Sequence, residues 1–450
     1  MPMSRRDIAL RHFDEQRELT DLRVKSGIEN YRKGNAHIVL LSDRPLPENV
    51  TVEVEQVNHE FRFGANLFLL DEFGEKEKNA AYREKFAELF NLATVPFYWD
   101  GVEPEKGKPR YAKDSPKLYR RPAPDLCVEY CKEKGIEPKC HCLNYDSWIP
   151  NWLVNEPVPV IKKYLEKRFR EIAERYADDI PSFEVTNETL QTAKSKFILE
   201  DDFVDWSFRM ADRYFPNNRL IINDYKIWWP FSYNTRTAYY MQIERLLRDG
   251  ITHLDSIGMQ FHSFFPVEQE GGDEGNRRYN PEILFKVMDL YARLGKAEQI
   301  TEMTIPSYTD KVEDEEVQAE LLANLYPIFF SHPAMEAVIY WNLVDGYAYT
   351  VKGLADAGDM TQGENIYRGG LLRFDMSEKP AFTVLKNLIR HEWHTSATVK
   401  AEKTDKAEKN LVQFRGFYGD YKLTVHAGEK TVPVDFKLSK DNFGKLIVRL

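Results

Sequence analysis

The chain has 450 residues, 42% of them apolar and 30% charged, with a formal net charge of −10. This is more than one ordinary domain needs and enough for one large barrel with an appendage. No basic stripe with interleaved aromatics appears, so nucleic acid is not an expected partner; no apolar run of about 18 residues appears, so no membrane span is expected.

Residues 1–34 read as a strongly charged helical segment. The opening MPMSRRDIALRHF carries positive charge but no apolar run behind it, so no secretory leader is expected. The chain is then cytoplasmic, or secreted if a leader has been removed. From Ala36 the pattern turns to strands, AHIVLLS and VTVEVEQV, separated by the turn-rich DRPLPEN. Residues 35–60 are assigned to an accessory β-structure. From there to His394 strands alternate with helices. The strands are predicted over 61–68, 91–99, 137–145, 182–188, 219–225, 256–262, 299–305 and 337–345. Helical stretches such as NAAYREKFAELF, VPVIKKYLEKRFREIAERYA and EEVQAELLANLYPIFF lie between them. The alternation predicts an α/β fold, a (β/α)8 barrel over 61–394. The rival doubly wound sheet lacks its glycine-rich phosphate loop. Residues 395–410 are polar and lysine-rich, a linker or an exposed edge. The short strands after them within 395–450 are expected to join 35–60 in one small β-sandwich.

The four cysteines, Cys127, Cys131, Cys140 and Cys142, lie close together. A zinc site with His141 is weighed and set aside, because Cys140 and Cys142 alternate with His141 on a strand and point away from it. They read as small buried hydrophobes. No metal and no organic cofactor is implied.

Barrel enzymes carry their chemistry at the C-terminal strand ends. The polar residues predicted there are His141, Asn144 and Asp146; Asn187 and Glu188; Asn223 and Asp224; Gln260 and His262; Glu302; and Trp341, Asn342 and Asp345. Ser182-Phe183-Glu184-Val185-Thr186-Asn187-Glu188 is a buried strand ending in an amide and a carboxylate, and Gln299-Ile300-Thr301-Glu302-Met303-Thr304 has the same build. Two strand-end glutamates suit a retaining glycosidase, in which one protonates the leaving oxygen and the other attacks the sugar. Duller roles are weighed beside these: loop orientation for Asp224 and Asp345, core packing for Tyr225 and Tyr349, a helix cap for Asp146.

FEVTNETL, ITEMTI, CHCLNY, INDY, IGMQFH, YWNLVDGYAY, DGVEPEKG and KPAF stand in the order and on the strands in which similar motifs occur in glycoside hydrolase family 10, the endo-β-1,4-xylanase family. The chain resembles that family over roughly residues 60–392. The resemblance implies that Glu188 is the acid/base and Glu302 the nucleophile, with Glu188 protonated and Glu302 ionised at rest. It implies that His262 holds Glu302, that Asn187 donates to a sugar hydroxyl, and that His141 and Trp341 hold the sugar being cleaved. Gln260, Tyr98, Asn144, Tyr145 and Tyr349 complete the expected substrate-binding set. The substrate implied is β-1,4-xylan or xylo-oligosaccharides. Another β-linked glycan or glycoside under the same mechanism, and a non-catalytic carbohydrate-binding barrel, stand as alternatives. The chain departs from the family's pattern in four places, the second-strand region having lost both the usual amide and the usual lysine. Tyr98 stands where a lysine is usual, CHCLNYD replaces Gly-His-Thr-Leu-Val-Trp-His, Thr304 replaces an aspartate, and Tyr349 replaces a tryptophan. These departures bear on the sugar bound more than on the reaction.

Overall fold

A computed structural model describes residues 3–191, 193–229, 233–251 and 253–450. Its strands in chain order are β1 (Lys33–Leu41), β2 (Val50–His59), β3 (Arg62–Asn66), β4 (Leu92–Pro96), β5 (Glu137–His141), β6 (Ser182–Asn187), β7 (Arg219–Asp224), β8 (Ser256–His262), β9 (Ala297–Thr304) and β10 (Met335–Tyr340). β11 (Ser396–Lys400), β12 (Glu402–Lys403), β13 (Lys409–Phe417), β14 (Gly419–Ala427), β15 (Lys430–Leu438) and β16 (Lys445–Arg449) follow.

The eight strands β3 to β10 close into the (β/α)8 barrel, with β10 returning beside β3. Consecutive strands from β3 to β10 run parallel. Every residue of β4 and β6 is buried, as a sheet filled on one face and covered by helices on the other requires. The helix Val158–Tyr176 shows the cover: Ile161, Leu165, Phe169 and Ile172 recur at helical spacing and are buried.

The ladders stop short of the predicted ends. β4 stops at Pro96 and the chain turns into the helical turn Trp99–Val102, β5 stops at His141, and β10 stops at Tyr340. Past the rim single bonds replace ladders: Phe97 N–H to the His141 carbonyl at 2.7 Å, Leu143 N–H to the Glu184 carbonyl at 2.8 Å, Trp341 N–H to the Met303 carbonyl at 2.7 Å. These residues belong to the rim loops that shape the pocket.

The chain divides into two compact units: 1–20, 63–329 and 334–385 in the first, and 21–62, 330–333 and 386–450 in the second. The boundaries expected at 34, 60 and 394 shift accordingly. The N-terminal segment is three helices, Arg5–Ala9, Arg11–Glu15 and Arg17–Tyr31, rather than one body of its own. Its start belongs to the barrel unit through Arg5. That guanidinium grips buried Glu270 with two 2.9 Å bonds and also donates to the carbonyls of Pro306, Ser307 and Asp314. Its end belongs to the second unit, where Arg32 donates to the carbonyls of Phe330 and His332. Trp393 stacks on Phe330 at 4.3 Å, which draws residues after 385 into the second unit.

The second unit contains two four-stranded sheets, β12–β13–β1–β16 and β11–β2–β14–β15. Alternation sets their inner faces: Ala36, Ile38 and Leu40 of β1, Val50, Val52 and Val54 of β2, and Leu423 and Val425 of β14 share one core. The polar stretch after His394 supplies the exposed edge strands β11 and β12. Among the described residues no helix is long and apolar enough to cross a membrane.

Arg5→Met removes the partner of buried Glu270. A loss of about 3–5 kcal/mol is expected, read as a lower urea midpoint of the barrel transition. A change below about 0.5 kcal/mol would show the pair to be a surface contact without weight.

Candidate active site

A cavity of about 520 Å³ opens at the C-terminal ends of the barrel strands. Its walls include Phe68, Tyr98, Tyr145, Trp148, Asn187, Glu188, Tyr225, Gln260, His262, Glu302, Trp341 and Tyr349.

Beneath it lies a buried ionic cluster. Glu184, on β6, has no exposed surface and accepts from Lys139 Nζ and His141 Nδ1, both on the adjoining β5. Burial pushes the Glu184 carboxyl up, but Lys139 and then His141 outweigh it and hold it at about 2. The other ring nitrogen of His141 bonds the Tyr98 hydroxyl at 3.0 Å. His141 therefore does not reach the cavity wall as a sugar contact; Tyr98 stands over it.

The two glutamates share one chain of amides. Asn223 Nδ2 donates to Glu302 Oε1 at 3.0 Å and to Asn187 Oδ1 at 2.9 Å. Gln260 Nε2 donates to the same Asn187 oxygen at 3.2 Å and to Glu188 Oε1 at 3.0 Å. The Thr301 hydroxyl donates to Asn223 Oδ1 at 2.6 Å, which fixes the orientation of that amide. With its oxygen doubly engaged, Asn187 offers the cavity its N–H donors. Tyr145 donates to the other oxygen of Glu188. Glu188 itself has φ 51°, in the left-handed region, and its N–H bonds the Asn223 carbonyl at 3.0 Å. This conformation costs about 1–2 kcal/mol for a residue with a Cβ. It turns the chain sharply out of β6 at the carboxylate.

His262 Nε2 lies 3.1 Å from Glu302 Oε2, and its Nδ1 lies 3.0 Å from Thr304 Oγ1. Burial lowers the His262 pKa to about 4, so the ring is neutral at ordinary pH. A neutral ring that donates through Nε2 must accept at Nδ1, and the Thr304 hydroxyl can supply that hydrogen. Burial also pushes Glu302 up to about 8. His141 opposes the rise, while Glu184 and Glu188 add to it. These shifts run against the expectation of an ionised Glu302 at rest, because the neutral histidine contributes no full positive charge to offset desolvation.

Asn144 leaves the expected substrate-binding set, because its Nδ2 bonds Ser207 Oγ at 2.9 Å and it does not line the cavity. Asp146 caps no helix with its side chain; it accepts from the Ser195 N–H at 3.0 Å and pins that loop. Asp224 accepts from Gln191 and Tyr225, and Asp345 from Lys379 and Gly370, all loop-orienting contacts. Tyr225 and Tyr349, weighed as core, line the cavity. So do Phe68, Arg120, Arg121, Trp148 and Glu364, which the sequence reading missed. The arginines sit on the long excursion after β4, where no periodic pattern marks them.

The family model for Glycosyl hydrolase family 10 matches residues 72–387. The chain is 24% identical over 412 residues to the anti-sigma-I factor RsgI6 of Acetivibrio thermocellus, covering 88% of this chain and 45% of that protein. It is 23% identical over 295 residues to endo-1,4-beta-xylanase B of Cellvibrio japonicus, covering 64% of this chain and 42% of that protein. The chain thus spans less than half the length of these curated relatives. The crystal structure of xylanase 10B from Thermotoga petrophila in complex with xylobiose superposes with a TM-score of 0.57 at 21% identity, over 74% of this chain and 95% of that one. At that identity the likeness shows the barrel fold.

Gly258 on β8 leaves room for this network. A Cβ there would lie 2.7 Å from Asn223 Oδ1 and 2.8 Å from the Ile222 carbonyl. Gly258→Ala is expected to cost about 1–3 kcal/mol and to displace Asn223 from Glu302. Thermal unfolding and kcat measured together check this; an unchanged kcat would show that Asn223 does not set the position of Glu302.

Proposed function

We propose, given that the chain belongs to glycosyl hydrolase family 10, that it is a retaining glycosidase cleaving β-1,4-xylan or xylo-oligosaccharides. The observation that carries this reading is the joining of Glu188 and Glu302, at the ends of β6 and β9, by the Gln260–Asn187–Asn223 chain in one cavity. Fixed amides with fixed donors hold both carboxylates ready, so little reorganisation accompanies reaction.

In the first step a Glu302 oxygen attacks the anomeric carbon. The bond to the leaving oxygen breaks, and the Glu188 proton passes to that oxygen. In the second step water attacks the same carbon, Glu188 takes its proton, and Glu302 departs. The Asn187 N–H donors face the cavity and suit a sugar hydroxyl beside the reacting carbon. Trp341, packed edge-on against Phe68 at 5.1 Å, offers a rigid apolar wall for a sugar face.

Attack needs Glu302 ionised and protonation needs Glu188 protonated. Burial, with Glu184 and Glu188 adding to it, opposes ionisation of Glu302 and pushes it up to about 8. For a leaving group that needs no acid only Glu302 must be ionised, and that form grows as pH rises toward the apparent pKa of Glu302.

Proton NMR of xylohexaose hydrolysis is expected to show the β-anomer first and mutarotation afterwards. Initial release of the α-anomer would overturn the double displacement. For an aryl β-xyloside whose leaving group needs no acid, the acidic limb of kcat/KM is expected well above the usual carboxylate value of about 4.3. Thr304→Asp would place a carboxylate beside His262 Nδ1, raise the His262 pKa and put a cation against Glu302. The limb should then move to lower pH, and a limb unmoved or moved upward would refute the role given to Thr304.

A further inference from the structure

The cavity end walled by Phe68, Tyr98 and Trp148 carries two adjacent arginines. The Arg121 guanidinium lies 3.8 Å from the Tyr98 ring centroid and 4.9 Å from that of Trp148. Arg120 lies 5.4 Å from the Phe68 ring. Arg120 Nη1 donates to the Tyr347 carbonyl at 2.8 Å, and Arg121 Nη1 donates to the Arg120 carbonyl at 2.9 Å. Both heads are therefore held by rings and carbonyls, and among the described residues neither makes an ion pair. Asp100 acts on Arg121 only through space. Both arginines line the cavity. Gly101 permits the close seat of Arg121, since a Cβ there would lie 3.0 Å from Arg121 Cδ.

Two like charges side by side in a half-buried pocket repel each other, and burial itself disfavours the charge on Arg121. A neutral sugar would leave that cost standing. A carboxylate would relieve it, and planar guanidinium forks match carboxylate oxygens in pairs. We infer that this end of the cavity binds a carboxylate-bearing sugar, a uronic acid unit of the glycan, through Arg120 and Arg121. The inference rests on the reading of the cavity as a β-glycan site and names the substrate class within it.

The test is calorimetric binding to the full chain carrying Glu302→Gln, so that no turnover is needed. One probe is xylotriose with an α-1,2-linked glucuronic acid branch, and another is xylobiose extended by a β-1,4-linked glucuronic acid. Each is compared with its carboxyl-reduced form, which differs only in charge. At low salt, at least one acid is expected to bind roughly tenfold or more tighter than its reduced form. The arm that shows it identifies a branch or a backbone uronate as the source of the carboxylate. The preference should shrink with added salt in the unsubstituted site and fall toward unity in Arg121→Gln, with Arg121→Lys retaining part of it. Equal affinity of both acids and their reduced forms would overturn the inference, as would an equal loss for acid and reduced forms in Arg121→Gln. Failure of the intact chain to hydrolyse xylan would strike the substrate reading alone, because the charge preference is read in binding.

Discussion

The buried carboxylate of Glu184 is the charge on which the site depends. A carboxylate without solvent costs several kcal/mol unless it is paired and fully hydrogen-bonded. Lys139 and His141 meet it from the neighbouring strand. They can both do so because residues two apart on a strand share a face, and β5 and β6 lie in parallel register at Lys139 with Ser182 and Cys140 with Phe183. The pairing orients the His141 ring, the ring receives Tyr98, and Tyr98 forms part of the cavity wall. The same anion acts on Glu302 through space and helps keep its proton on, against the pull of His141.

A second constraint is the single-minded orientation of the amides. Asn223 can serve Glu302 and Asn187 at once only while its oxygen is occupied by Thr301. Asn187 then has no acceptor left to turn inward, so its donors face the cavity. The left-handed backbone at Glu188 belongs to this arrangement: the strand ends, the chain turns, and the carboxylate meets Gln260 and Tyr145. Strain of this kind persists only where surrounding bonds over-determine it, and here the side chains of Gln260 and Tyr145 and the Asn223 carbonyl do.

The barrel was legible because its signal is periodic. Buried strands such as SFEVTN and amphipathic helices such as Val158–Tyr176 declare themselves by spacing. The strand-end polar residues were legible for the same reason, since a carboxylate at the close of an apolar run has few structural uses. What the sequence hid was direction. His141 and Asn144 read as strand-end groups, yet one is covered by Tyr98 and the other faces Ser207 on the helix Phe203–Tyr214. The ladder ends at His141, and beyond it no alternation rule says which way a side chain turns. Arg120 and Arg121 lay in an irregular loop, where placement is set by tertiary contacts with Tyr347 and the cavity rings.

The departures from the family's pattern act together when treated as charges. Replacing a lysine by Tyr98 removes a cation from the wall, and replacing an aspartate by Thr304 removes an anion from behind His262. The second loss leaves His262 neutral, so the control of Glu302 passes from a local ion pair to burial and the more distant Glu184–His141 pair. The first loss is answered by Arg121, whose guanidinium rests on the ring of Tyr98 itself. Tyr98 thus has two faces with different duties: its hydroxyl satisfies His141 below, and its ring supports a cation above. A lysine could not serve both, since it has no ring for an arginine to stack on. With the tyrosine in place the positive charge of this wall rests on a planar guanidinium, while the Glu188 and Glu302 carboxyls stay at the ends of β6 and β9.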